Sequence, residues 1–331
     1  MGVKKRVPAK ISAPGCGIAR AGWLGYYPQA HKRGKEAAIV TVWDRWRIPI
    51  MLTPTLAVII FLFLGGLTYG ALVSLGWQPI IGRTEISLRA YHSIMFSEQY
   101  AEAFWQGLAL TIWVSVGSTV ISALLALASA LLLRRSFFGK RLATFLYQLN
   151  LPVPHVVAAI GILFLFSQSG LLSRTGAQLG LFDFPRDFPI LVKDRFGIGM
   201  MLSFVWKEVP FVGVIVLAVL QSLGVDYEDL ARSLGANRWQ RFVYVILPLV
   251  MPGLLSGSIL VFAFTFGSYE VPAILGVRFP RMLTVTAVRF FQNPDLNART
   301  EGMAISVIIS IIVFFLVLGY MWLSRRTVRQ D

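Results

Sequence analysis

Six long stretches of this chain carry almost no charge, and that feature narrows the folds open to it. Runs free of Asp, Glu, Lys and Arg cover residues 48–82, 103–133, 142–173, 242–269 and 302–324. A sixth, 196–225, is interrupted only by Lys207 and Glu208. A membrane helix needs about 20 mostly apolar residues to cross about 30 Å of hydrocarbon. Each run holds one such helix and none comfortably holds two. The expected spans are 50–72, 105–131, 143–167, 200–223, 243–266 and 303–323. A β-barrel would instead show segments of about ten residues alternating apolar and polar. VIIFLFLGG and ISVIISIIVFFLVLG are continuous, so the expected fold class is an all-α membrane protein with six transmembrane helices.

Composition supports the same class. Hydrophobic residues are 56% of the chain and charged residues 14%, against roughly 45–50% and about 25% in an average globular protein. So apolar a composition excludes a disordered chain, and so few charges leave too little polar surface for a water-soluble enzyme. A single cysteine, Cys16, excludes an internal disulfide framework.

Lys and Arg set the expected orientation, because they accumulate in cytoplasmic loops. The 1–47 tail, the 134–141 and 224–241 loops and the 324–331 tail together hold twenty, and the alternating loops ten. Both termini should therefore be cytoplasmic. The chain divides into a basic cytoplasmic tail, 1–47, a six-helix domain, 48–325, and a short cytoplasmic tail, 326–331. The net charge of +15 is mostly this topogenic signal and not a nucleic-acid footprint. No apolar core of a cleaved leader precedes residue 48. The basic tail reads either as a positive-inside anchor or as a segment lying on anionic lipid or a cytoplasmic partner. Cys16 within it reads as an ordinary free thiol.

One loop is more than a connection. Residues 224–248 should face the cytoplasm and are too regular for an irregular linker. Asp226 can cap a helix, with Asp229 three residues on. Leu230 and Leu234 share a face beside Ala231. Gly235 permits a left-handed turn, and Asn237 can cap a second run containing Trp239, Arg241 and Phe242. Two short helices at an angle, with an apolar knuckle exposed, are expected. An exposed apolar knuckle is either a docking surface or an interfacial anchor.

The residues of this loop resemble the EAA loop of binding-protein-dependent ABC importer permeases. Asp229-Leu230-Ala231 stands in the E-A-A slot, Gly235 in the glycine slot, Val245 in the Ile slot, and Leu247-Pro248 closes the pattern. Asp for Glu and Leu for the first Ala are the departures, and the spacing is intact. The resemblance covers roughly residues 100–325. It implies the type I ABC importer permease fold, with a coupling helix seated in a cytoplasmic ATPase. Asp229, Leu230, Ala231, Gly235, Ala236, Leu247 and Pro248 would be the coupling positions. The implied partners are a second permease subunit on a different chain, two ATPase subunits, an extracytoplasmic solute-binding protein and membrane lipid.

This chain carries no P-loop of its own. Gly34-Lys35 is followed by Glu36 and Gly139-Lys140 by Arg141, where a phosphate cradle needs Ser or Thr. It is therefore expected to be no enzyme and to bind no cofactor, ATP and Mg belonging to the partner ATPases.

Ionisable residues inside a membrane are costly and mark function by default. Lys207 and Glu208, in SFVWKEVPF, lie near the expected outer end of span four. There Lys207 could snorkel to the interface, while Glu208 or Trp206 could line a solute path. Tyr269 and Glu270 follow span five beside Pro272, Gly267 and Gly276. They suggest a re-entrant segment lining a cavity, or an interfacial loop in which Glu270 pairs with Arg278 or Arg281. His155 stands alone in span three and reads as a hydrogen-bonded packing residue. No metal-ligand cluster is visible. The run ARSLGA is similar to the polyamine and ferric-iron branch of the family, and Glu270 would suit a cation. The expected solute is a polyamine such as spermidine or putrescine. The rival reading is a stand-alone secondary transporter or channel not coupled to an ATPase.

Overall fold

The computed structural model describes residues 42–222 and 226–328. The basic tail through residue 41, with Cys16, lies outside the described residues. The described residues are helical, with no strand beyond one isolated bridge between Gln78 and Arg83. In chain order the helices are α1 Val42–Ser74, α2 Arg89–Phe96, α3 Ala101–Arg134, α4 Lys140–Leu149 and α5 His155–Phe166. They continue with α6 Leu171–Gln178, α7 Ile198–Ser222, α8 Asp226–Ser233, α9 Arg238–Arg241 and α10 Leu247–Gly267. The last three are α11 Glu270–Leu275, α12 Leu283–Phe291 and α13 Ala298–Val328. By contact, the described residues through Gly65 belong to one compact unit and those from Gly66 to a second.

Among the described residues, six helical segments are long and apolar enough to cross a membrane: Pro49–Ser74, Ala101–Arg134, His155–Gln178, Ile198–Ser222, Arg238–Gly267 and Ala298–Trp322. Five overlay the expected spans within a few residues. The third differs. The expected continuous helix over 143–167 is two helices, α4 and α5, separated by a break at residues 150–154. Pro152 and Pro154 cause it: each lacks the N–H that a helix needs four residues back, and each ring crowds the preceding turn.

The bundle is organised around α3 and α7. Buried Gly107, Thr111, Ser115, Ser118, Ser122, Ala126 and Ala130 recur at helical spacing along α3. In hydrocarbon, helices gain little by hiding apolar surface from one another, and small residues allow the close approach that dispersion requires. Thr111 and Ser118 return their hydroxyl protons to carbonyls one turn back, those of Gly107 and Val114, whereas the buried Ser115 and Ser122 hydroxyls have no partner. At one end Ala126, Leu127, Ala130 and Leu133 meet Val212, Val216 and Leu220 of α7 and Val250 and Leu254 of α10. Toward the other, Leu110 and Val114 meet Met200 and Phe204, with Ala159 and Ile162 of α5 and Val271 and Leu275 of α11. A third cluster joins α2, α12 and α13 to Phe104 and Phe266. The 226–241 elbow and α12 therefore sit at opposite ends of the bundle.

Candidate functional site

The elbow is built by two local devices. Helix α8 ends in a Schellman turn, in which the Gly235 N–H donates to the Arg232 carbonyl and the Ala236 N–H to the Ala231 carbonyl, both at 3.0 Å. Gly235 sits at φ +83°, the left-handed region that a side chain makes costly. Ala231 and Ala236, two of the expected coupling positions, are thus tied to each other across the turn. Asn237 then opens α9 with a capping box. Its side-chain oxygen accepts from the Gln240 N–H at 2.8 Å, and the Gln240 side-chain oxygen accepts from the Asn237 N–H at 2.9 Å. Both the glycine turn and the Asn237 cap are those expected from the sequence. The Asp226 cap is different: residues 223–225 and the Asp226 side chain lie outside the described residues.

The second expected short helix is not separate. Helix α9 runs on through a wide turn, Phe242–Ile246, into α10, so that one helical segment extends from Arg238 to Gly267. In that turn the Leu247 N–H donates five residues back, to the Phe242 carbonyl. Pro248 explains it. With no N–H to give Tyr244, and a ring that would strike the preceding turn, it is accommodated where the helix is locally widened. Leu247-Pro248 therefore marks the place where the elbow joins its membrane helix.

What the elbow presents is apolar. Leu234 is 80% exposed and Trp239 70%, with Tyr227, Leu230 and Tyr244 also exposed. Asp229 and Gly235 are exposed beside them. One strut holds the elbow to the bundle: Arg134, at the end of α3, donates to Glu228 at 2.7 Å.

A second polar constellation lies inside the bundle, where the α4–α5 break meets α7. Lys207 and Glu208 occupy the interior of the 25-residue α7 and are each 6% exposed. Lys207 therefore does not snorkel to an interface. Its ammonium donates to the carbonyls of Asn150 at 2.9 Å and Leu151 at 3.0 Å. Pro154 is the reason the first of these needs a donor, since residue 154 would otherwise supply the helical N–H. The relation is reciprocal. Pro210 deprives the Trp206 carbonyl of its donor, and the Asn150 side-chain amide donates there instead. Tyr147 adds a third bond, from its hydroxyl to the Val209 carbonyl at 2.8 Å. It can do so because residue 213 is glycine: a Cβ there would lie 1.8 Å from the Tyr147 oxygen.

Glu208 turns to a different partner, His155 Nε2 at 3.0 Å. Adjacent residues on a helix point about 100° apart, so Lys207 and Glu208 brace different segments. His155 is hydrogen-bonded, as expected, and its ring lies 4.4 Å from that of Phe264. Trp206 is half-exposed and lines an apolar cavity of about 530 Å³ with Tyr147 and Asn150. Tyr269 and Glu270 are exposed at the start of α11. Among the described residues Glu270 forms no ion pair with Arg278 or Arg281, and no hydrogen bond joins Tyr269 or Glu270 to Trp206 or Glu208. The paired-proline logic of the joint escaped the sequence reading, although a polar residue opposite each proline-freed carbonyl was its visible sign.

Residues 118–329 match the family described as "Binding-protein-dependent transport system inner membrane component". The chain is 29% identical over 288 residues to the inner membrane ABC transporter permease protein YnjC of Escherichia coli K12, covering 84% of this chain and 52% of YnjC. It thus spans about half the length of that relative. It is 28% identical to the sulfate transport system permease protein CysT of the same organism, covering 70% of this chain and 80% of CysT. It is 29% identical to the molybdenum transport system permease protein ModB of Haemophilus influenzae, covering 66% and 92% respectively. A chain of the bacterial alginate ABC transporter superposes with a TM-score of 0.71 at 17% identity, over 86% of this chain and 97% of that one. A chain of the MetNI methionine ABC transporter superposes at 0.53 and 15% identity, over 70% and 99%. At these identities the superpositions concern the fold. The family match, by contrast, covers well over half of the chain: this protein belongs to the binding-protein-dependent transport inner membrane components, as a multi-pass permease of an ABC importer.

Proposed function

We propose that the chain forms half of a translocation pathway and is driven through the α8–Asn237 elbow by a cytoplasmic ATPase. A second permease subunit on a different chain supplies the other half. Two ATPase subunits bind ATP and Mg, and a solute-binding protein delivers cargo to the opposite end. Both termini and the elbow then face the cytoplasm, in line with the Lys and Arg distribution.

The observation that carries this reading is the elbow's shape. Exposed Leu230, Leu234 and Trp239 stand on backbone fixed by the Gly235 turn and the Asn237 box. A surface left apolar while its backbone is held rigid fits a cleft in another protein. Because α9 continues into α10, a push on the elbow is delivered directly to a membrane helix. Family membership removes the ground for a stand-alone secondary transporter or channel.

The solute reading moves with the relatives. A polyamine rests on the ARSLGA run and on Glu270 lining the path, and none of the relatives named above carries a polyamine in its name. The relatives named for a solute handle sulfate and molybdenum, so a small oxyanion is the better-supported cargo. The test is ATP-driven uptake in vesicles holding the full complex, with sulfate, molybdate and spermidine compared. Sulfate or molybdate should stimulate hydrolysis and accumulate. The Leu230→Asp, Leu234→Asp double variant should abolish both. Uptake by that variant at the parent rate overturns the coupling claim, and stimulation by spermidine alone overturns the oxyanion.

A further inference from the structure

A cavity of about 380 Å³ opens between the end of α11, the 276–282 loop and α12. Its lining includes Lys193, Arg278, Arg281 and Arg289, and neither Asp nor Glu. Among the described residues none of the four makes an ion pair or a side-chain hydrogen bond. The Arg281 Nε is buried and has no partner. Arg281 and Arg289 also face an adjoining cavity of about 320 Å³, with Tyr100, Thr286 and Asn293.

The walls are fixed. The Lys193 N–H donates to the Leu275 carbonyl at 3.0 Å. Lys193 holds φ +56°, an unfavourable conformation for a residue with a side chain. Thr111 Oγ1 accepts from the Leu283 N–H at 2.9 Å. Gly107 lets the Arg281 backbone lie against α3, where a Cβ would fall 2.6 Å from the Arg281 carbonyl oxygen. Of the carboxylates near in sequence, Asp187 and Asp295 are not in the lining. Asp194 already accepts from the Ile198 and Gly199 N–H groups, and Glu270 is not in the lining.

Four cations brought together without a counter-charge repel one another, and an anion of more than one charge relieves that repulsion. Guanidinium forks match an oxyanion's geometry, donating two N–H groups at once. Burial, with Arg289 and Arg278 nearby, holds the Arg281 pKa below its ordinary value, the direction expected where the cationic form lacks a partner. We propose that this cavity binds a compact, doubly charged oxyanion, with Arg281 and Arg289 as its forks and Lys193 and Arg278 at its rim. It lies at the end of the bundle opposite the elbow. The role as a reception site for solute rests on the permease reading, whereas the binding itself does not.

Calorimetric titration of the purified full-length chain, without partners, tests the binding separately from coupling. The chain is held in phosphatidylcholine nanodiscs, and sodium molybdate is added against sodium chloride of matched ionic strength. One saturable site is expected. Arg281→Gln and the exposed-site variant Arg289→Gln should each weaken it by about tenfold or more, and Arg83→Gln, outside the cavity, should leave it unchanged. A linear, unsaturating titration, or equal affinity in Arg289→Gln and the parent, overturns the proposal. Loss of molybdate binding when phosphatidylglycerol is added would assign the cavity to a lipid phosphate and overturn a free-oxyanion site.

Discussion

The elbow and the α4–α5 joint depart from ordinary burial in opposite ways. At the joint, polar groups are inside: Lys207, Glu208, Asn150 and Tyr147 lie among membrane helices, and each has a partner. At the elbow, apolar groups are outside: Leu230, Leu234 and Trp239 are exposed on a backbone fixed by the Gly235 turn and the Asn237 capping box. A buried polar group that finds a partner is internal bracing, even though the Asn150 Oδ1 itself has none. An exposed apolar group on a rigid frame is half of an interface. The same chain thus keeps its chemistry for itself in one place and holds it for a second polypeptide in the other.

Breaking the joint should give the largest change in stability. Lys207→Met leaves two carbonyls in the bundle without their donor and should cost roughly 2–4 kcal/mol, read as a lowered melting temperature in detergent. An unchanged melting temperature would mean that water supplies those carbonyls. Reciprocity between the prolines is sharper to test. Asn150→Leu alone should cost about 1–3 kcal/mol through the Trp206 carbonyl. In a Pro210→Ala background, where residue 210 can donate to that carbonyl, most of the loss should vanish. Additive losses would deny that Asn150 compensates for Pro210.

At the elbow the stability effects should be smaller and the functional effects greater. Asn237→Ala removes the capping box and should cost about 1 kcal/mol. It should also lower ATP-driven uptake by a larger factor than it lowers folded protein, because the cap shapes a surface the rest of the chain does not need. Equal reductions of the two would make Asn237 purely structural.

Much of this was legible in the sequence, for reasons particular residues make plain. Span positions followed from uncharged length, and the glycine turn and Asn237 cap followed from local chemistry acting over four residues. The third span was misread because Pro152 and Pro154 were treated as tolerated within one helix. The cost of Pro154 is met by Lys207 and that of Pro210 by Asn150, each across more than fifty residues of sequence, which a local pattern does not reveal. The run capped by Asn237 was expected as a separate short helix, yet α9 continues into α10 because a widened turn at Phe242–Ile246 accommodates Pro248. The cationic cluster of Lys193, Arg278, Arg281 and Arg289 was not legible, because its members are scattered over nearly a hundred residues of sequence.

Co-purification tests the central claim most directly. The parent chain and Gly235→Asp, a substitution into open space at φ +83°, are expressed with the ATPase subunit and captured from detergent extracts. The account predicts that Gly235→Asp retains the melting temperature of the parent to within about 1–2 kcal/mol of stability and brings down no ATPase. A variant chain that captures ATPase at full stoichiometry, with solute-stimulated hydrolysis intact, would contradict it.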